Sequence, residues 1–173
     1  MNTTYILLLG LCLLGTAIRT VYEILKKVGR LDPRNKAIFS MVFAAMILLL
    51  TSWIFLGPND PWHVNLPTVV RWLGLVLVAA GLILAFGGLI QLRGLENIDH
   101  LVTSGFYSKF RHPMYTGFIL WISGWIIYFG AGASLLIGMV CVGNILFWRY
   151  LEEEKMIADY GEEYRTYQAH SWF

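Results

Sequence analysis

Five apolar runs organise the chain, at about residues 4–18, 37–57, 68–90, 114–129 and 132–148, with polar or charged stretches between most of them. A bilayer core takes about twenty helical residues to cross. The second and third runs have that length, and the first extends as an amphipathic helix through Tyr22, Ile24 and Leu25 with basic side chains reaching the interface. The fourth and fifth are short, and only Gly130, Ala131 and Gly132 separate them, which predicts a tight helical hairpin, tilted or stopping short of the far surface. Beyond them Met156, Tyr160, Tyr164 and Tyr167 recur at helical spacing, predicting a C-terminal amphipathic helix whose stripe packs on the bundle. The expected fold is all-α and integral to the membrane: five transmembrane helices, the last two a hairpin, plus a cytoplasmic amphipathic helix.

Composition agrees with this. Hydrophobic residues make up 57% of the 173 and charged residues 14%, with a mean hydropathy of +0.61, far from the balance of a soluble domain. No linker divides the chain, so residues 1–173 read as one membrane domain, with N-terminal spans over 1–90 and a loop, hairpin and C-terminal helix over 91–173. The first run lacks a small-residue cleavage site and reads as a retained helix. Cys12 and Cys141 lie inside apolar runs, outside any CxxC or Cys/His cluster, so they read as buried small side chains; neither a metal site nor a disulfide framework is expected.

The net charge of +2 is too small to indicate nucleic acid, and the cations are distributed as topology signals. They follow run one (Arg19, Lys26, Lys27, Arg30, Arg34, Lys36), run three (Arg93, Lys109, Arg111) and run five (Arg149, Lys155, Arg165), whereas the turn from Gly57 to Pro67 has none and only Arg71 lies near it. With positive segments inside, five spans place the N-terminus outside and all three basic clusters in the cytoplasm. Trp62 and Trp72 fall where interfacial anchors are expected, and Gly74, Gly81, Gly87 and Gly88 permit close helix approach.

Polar chemistry concentrates at the ends of the hairpin. The connection from Gln91 to Tyr107 mixes polar groups, glycines and aromatics; it suits either a solvated loop or one that presents backbone groups to a ligand. In Arg111-His112-Pro113 the proline restricts His112 to extended geometry and starts the fourth helix, whose free N–H groups and partial positive charge suit a carboxylate or a ribose hydroxyl. Arg149, Glu152 and Glu153 stand at i, i+3 and i+4 on one helical face, a geometry for holding an ammonium and a carboxylate together. The alternatives are a snorkelling arginine and a solvated acidic run; Glu154 reads as solvated.

The stretch Thr103-Ser104-Gly105-Phe106-Tyr107-Ser108-Lys109-Phe110-Arg111-His112-Pro113-Met114-Tyr115-Thr116-Gly117, then Leu151-Glu152-Glu153, then Tyr160-Gly161-Glu162-Glu163-Tyr164-Arg165-Thr166-Tyr167, closely resembles the isoprenylcysteine carboxyl methyltransferase family, whose wider group includes the phospholipid N-methyltransferases. The resemblance covers about the C-terminal half, from Gln91 onward. It implies S-adenosylmethionine in a cytoplasm-facing pocket and a lipophilic acceptor arriving from the bilayer, such as the C-terminal carboxylate of a prenylated cysteine, a phospholipid amine or a small lipophilic thiol. Carried across position by position, the cofactor contacts fall on Asp99, His100, Leu101, Val102, Tyr107, His112, Pro113, Met114, Tyr115 and Glu152, with Gln91 a looser match. Arg149, one position off the family register, is implied as the group that orients the acceptor, with Glu153 as a proton acceptor for an amine. Family members usually continue past this segment with a valine, a basic residue and a proline-containing tail; Ser171-Trp172-Phe173 differs, which predicts a less completely covered pocket. A membrane sterol or enone reductase using NADPH is the rival enzyme, opposed by the acidic Glu152-Glu153 face, and a helical scaffold or transporter subunit is the non-enzymatic alternative.

Overall fold

A computed structural model describes residues 2–32, 35–92 and 100–173. Among them the elements are helical: α1 (Thr3–Lys27), α2 (Lys36–Leu56), α3 (Thr68–Leu92), a 3-10 turn over Gly105–Ser108, α4 (Pro113–Phe129), α5 (Gly132–Tyr160) and α6 (Glu162–His170). α1, α2, α3 and α5 are long and apolar enough to cross a membrane, whereas α4 is a shorter apolar helix of 17 residues. The fifth apolar run ends near residue 148, yet α5 continues to Tyr160 because its polar last turns form ion pairs within the helix, Arg149 with Glu153, and with other segments, through Lys27 and Arg111.

Pro113 opens α4 at its first turn, where a missing N–H removes no helical hydrogen bond, and Gly130 closes it in the left-handed region at φ 62. The α4–α5 connection is therefore the tight hairpin that its glycines predict. Val64 N–H donates to the Gly130 carbonyl at 2.7 Å, and Gly132 N–H to the Trp62 carbonyl at 2.8 Å. Buried Asp60 caps the start of α5, accepting from the N–H groups of Ala133 at 3.2 Å and Ser134 at 2.6 Å. Trp62 and Trp72 are exposed at this end, as anchors should be.

α3 packs along α4 through glycines spaced seven apart. A Cβ on Gly81 would lie 2.5 Å from the Gly117 carbonyl oxygen, one on Gly74 2.8 Å from that of Gly124, and one on Gly88 3.0 Å from Cγ of Pro113. Only backbones without side chains come this close, and such contact replaces the hydrophobic drive that lipid cannot supply. α1 pairs with α2 and also meets α5, where Trp148 Nε1 donates to Thr20 Oγ1 at 3.0 Å and Thr20 Oγ1 donates to Asn144 Oδ1 at 2.9 Å. Cys12 and Cys141 are free and buried in the shared core. The Glu154 side chain is exposed to solvent, as expected, and there pairs with Lys27, joining α1 to α5 at the surface.

At the other end from Asp60, the last turns of α1, α3 and α5 gather around the first turn of α4. Gly81→Leu, which must push the Gly117 backbone away, is expected to lower stability by about 1–3 kcal/mol in detergent unfolding. Gly143→Ala, with nothing within 4 Å of the added carbon, is expected to leave it unchanged or slightly raised.

Candidate functional site

A cleft opens where these helix ends meet. It holds about 1300 Å³ of empty space, part of it open to solvent, and its walls come from α1 (Lys26), α3 (Leu92), the approach to α4 (His100, Leu101, Val102, Tyr107), α4 itself and the C-terminal helices. Gln91 shapes this approach from a distance. Its side chain donates to the Ser104 carbonyl at 2.5 Å and accepts from Phe106 N–H at 2.9 Å, pinning the 3-10 turn against the end of α3.

The α4 start contributes His112, Met114 and Tyr115 to the cleft. Pro113 is buried against Gly88 and is not part of the lining. Tyr115 donates its hydroxyl to Glu152 at 2.7 Å, so the carboxylate and the phenol form one wall. The His112 ring stacks on that of Tyr115, with centroids 5.6 Å apart, and stands between both acids: Nδ1 lies 3.6 Å from Glu152 and Nε2 3.3 Å from Glu153. His112 Nε2 is buried and makes no aligned hydrogen bond among the described residues.

Glu153 faces away from the cleft, into an ionic hub. Its Oε1 accepts from Arg111 Nε at 3.0 Å and from Arg149 Nε and Nη2 at 3.2 and 3.1 Å, and its Oε2 accepts from Gln168 at 3.1 Å. Arg149, Glu152 and Glu153 do share a helical face, but they divide: Glu152 joins the cleft, while Arg149 and Glu153 pair with each other behind the His112 wall.

The aromatic stripe behaves differently from expectation. Gly161, at φ 55, breaks the C-terminal helix, so Met156 and Tyr160 end α5 whereas Tyr164 and Tyr167 belong to α6. The fold-back lets all four line the cleft instead of only packing on the bundle. Tyr167 donates to the carbonyl of Tyr107, closing the loop over them. Burial pushes the phenols of Tyr107 and Tyr164 up, reinforced by the charge of Glu152 for the first and Glu153 for the second, and burial likewise raises Tyr167. All three are neutral hydroxyls with aromatic faces at physiological pH.

Of the residues singled out from sequence, the structure brings His100, Leu101, Val102, Tyr107, His112, Met114, Tyr115 and Glu152 around one cleft. Asp99 lies outside the described residues. Lys26, Arg111, Lys155 and the four stripe residues line it too. Lys26 was read only as a topology signal; nothing in its spacing marks it, because its place depends on how α1 meets α5. Beside it, buried Glu23 pairs with Arg19 at 2.5 Å and with Lys26 at 3.5 Å, so the end of α1 carries a charged cluster of its own.

The profile of the family described as phospholipid methyltransferase matches residues 69–163, more than half of the chain. The chain belongs to this family. The match spans α3, α4, α5 and the segments between them, which together supply most of the residues lining the cleft. Among individual relatives of this phospholipid methyltransferase family member, a protein-S-isoprenylcysteine O-methyltransferase of Tribolium castaneum is 32% identical over 119 residues, 62% of this chain and 39% of that protein. A methanethiol S-methyltransferase of Pseudomonas deceptionensis is 31% identical over 142 residues, 72% of this chain and 53% of that protein. A protein-S-isoprenylcysteine O-methyltransferase of Xenopus laevis is 30% identical over 157 residues, 79% of this chain and 53% of that protein. The chain thus spans about a third to a half of the length of the curated relatives it matches. No solved structure matches.

Removing the acid at the hub strands two guanidinium groups. Glu153→Ala is expected to destabilise the protein by about 3 kcal/mol and to loosen α6. Thermal unfolding in detergent checks the first effect, and faster proteolysis after residue 160 the second.

Proposed function

We propose that the chain is an integral membrane methyltransferase that takes its methyl group from S-adenosylmethionine and gives it to a lipophilic acceptor reaching the cleft from the bilayer. In this reading five helices cross, α4 being the short one, the N-terminus is non-cytoplasmic, and the cleft faces the cytoplasm. The distribution of charge supports it: Lys26, Lys27, Lys109, Arg111, Arg149 and Lys155 collect at the cleft end, whereas Asp60 caps a helix at the opposite end.

The observation that carries the proposal is the Glu152 wall: a carboxylate fixed by Tyr115, beside buried His112 and facing neutral tyrosines. Bound there, S-adenosylmethionine supplies a methyl carbon on a sulfonium, already activated for transfer. The residues fit such a group. Glu152 is placed to receive its ammonium, and the faces of Tyr107, Tyr160, Tyr164 and Tyr167 suit the sulfonium through cation–π attraction. His112 and His100 line the cleft as groups able to hydrogen-bond uncharged polar parts of the ligand, with Leu101, Val102 and Met114 as apolar lining. The part of the cleft comparable with a ligand pocket is about 300 Å³, at the lower end of the roughly 300–1,000 Å³ of an ordinary small-ligand site.

The bundle also holds a small void of about 20 Å³ among apolar side chains including Met46, Leu50, Phe118, Trp121, Ile145 and Trp148. Candidate acceptors are the carboxylate of a prenylated cysteine, a small lipophilic thiol and a phospholipid amine, in keeping with the names of the relatives and the family. Rate enhancement then rests on in-line positioning and exclusion of water, without metal. Glu153 contributes by position: with both oxygens engaged it fixes Arg111, Arg149 and the α4 start, and is poorly disposed to take a proton. A carboxylate acceptor has no proton to lose, and a thiol or amine releases its proton to the open cleft.

Calorimetry of the full chain in detergent with S-adenosylhomocysteine is expected to show binding that Glu152→Ala and His112→Ala each weaken by about tenfold, or 1.4 kcal/mol. Absent heat with the intact protein, unchanged affinity in both variants, or stabilisation by NADPH instead would contradict the reading. Methyl-labelled S-adenosylmethionine added to membranes then identifies the acceptor by the label it carries.

A further inference from the structure

The tail of the chain closes over Arg149. After α6 the backbone becomes extended at Ser171 and runs parallel to the stretch before α4: Trp172 N–H donates to the Lys109 carbonyl at 2.7 Å, Arg111 N–H to the Trp172 carbonyl at 2.8 Å, and His112 N–H to the Phe173 carbonyl at 3.1 Å. Arg111 clamps the same segment, its Nη1 donating to the carbonyls of Gln168 at 3.1 Å and Ser171 at 2.5 Å. This clasp sets the Phe173 ring 4.3 Å from the guanidinium carbon of Arg149 and packs it against the core that contains Trp148. Trp172, pointing the other way, is left 76% exposed. Backbone pairing with residues 109–112 holds this segment in place without a proline.

We propose that Phe173 is the acceptor-selectivity residue of the site, favouring a neutral, slender nucleophile such as a thiol over a carboxylate. The inference rests on the methyl-transfer reading above. Arginine recognises a carboxylate through an open planar fork. At Arg149 the side-on edge of that fork is taken, Nε and Nη2 donating to Glu153, and the ring of Phe173 covers one guanidinium face, which narrows the approach to the remaining edge. A carboxylate acceptor must fit its charged group past the ring to the remaining edge or compete with Glu153 to be oriented there. A neutral thiol needs no such partner, and the aromatic and apolar surface of Phe173 and Trp148 suits its alkyl group. Arg111, the other nearby cation, is held by Glu153 and by the tail itself.

The full chain in detergent is compared with Phe173→Ala and Phe173→Tyr by three measurements. S-adenosylhomocysteine affinity is expected to be equal in all three proteins, since Phe173 is not part of the cleft wall. Labelling of Arg149 by phenylglyoxal, read by mass spectrometry, is expected to rise about tenfold in Phe173→Ala and to stay low in Phe173→Tyr, whose ring is retained. The ratio of kcat/KM for a medium-chain alkanethiol to that for S-farnesyl-N-acetylcysteine is expected to fall about tenfold in Phe173→Ala and to recover in Phe173→Tyr. With cofactor binding intact, an unchanged ratio or unchanged labelling in Phe173→Ala overturns the selectivity role alone, as does a wild-type preference for the carboxylate. Absent S-adenosylhomocysteine binding in the wild type overturns the methyl-transfer reading and this role with it.

Discussion

The carboxylate of Glu153 joins three parts of the chain that are distant in sequence. Arg111 reaches it from the approach to α4, Arg149 from one turn earlier on α5, and Gln168 from α6, while His112 lies against it. Each of these groups is a poor candidate for burial alone, since an ion removed from water must find a partner or be lost from the structure. Together they satisfy one another with only partial exposure. Such networks add little net stability compared with apolar packing, and their value lies in permitting one arrangement and penalising the rest. Here the arrangement fixed is that of His112, the α4 start and the C-terminal tail, so the cleft inherits its shape from a carboxylate that does not line it.

The hub only works if α4 begins in the right place, and the glycine seam decides that. Gly81 and Gly117 bring α3 and α4 to backbone contact, Gly74 and Gly124 repeat this seven residues away, and Gly88 receives Pro113. The same seam delivers Gln91 to the 3-10 turn that carries Tyr107. Apolar side chains elsewhere on α3 are left facing outward, including Val76, Ile83 and Ile90, as lipid permits. Rigid packing near the core and ionic fixing at the membrane face thus divide the work.

What could be read from the sequence follows from which constraints are local. The helices and the α4–α5 hairpin were legible because apolar length and glycine chemistry act within one segment. Pro113 marked the start of α4 for the same reason, and the motif residues His112, Tyr115 and Glu152 were legible through resemblance. Pairings between segments were not. Nothing about Lys26 distinguishes it from Lys27, yet one lines the cleft while the other ties α1 to Glu154. The stripe of Met156, Tyr160, Tyr164 and Tyr167 had the period of a single packing face, and its real use depends on the left-handed backbone of Gly161, which bends the stripe over the ligand space. Glu153 looked like the free acid of a pair because its partners, Arg111 and Gln168, are 42 and 15 residues away.

The separation of the two acids by one residue has a chemical consequence. Adjacent positions on a helix diverge by about 100°, so Glu152 and Glu153 cannot both face the same space. Glu152 faces the tyrosines, where its charge has no cationic side chain bonded to it among the contacts described, and Glu153 is enclosed by arginines. A carboxylate with no cation bonded to it is free to receive a cationic group of a ligand, and that capacity would fade if Arg149 or Arg111 paired with it. By engaging both guanidinium groups, Glu153 keeps them from pairing with Glu152, even though Arg111 reaches the cleft wall. The hub is therefore an electrostatic partition as well as a brace, and the Phe173 ring over Arg149 extends that partition to the side from which an acceptor would arrive.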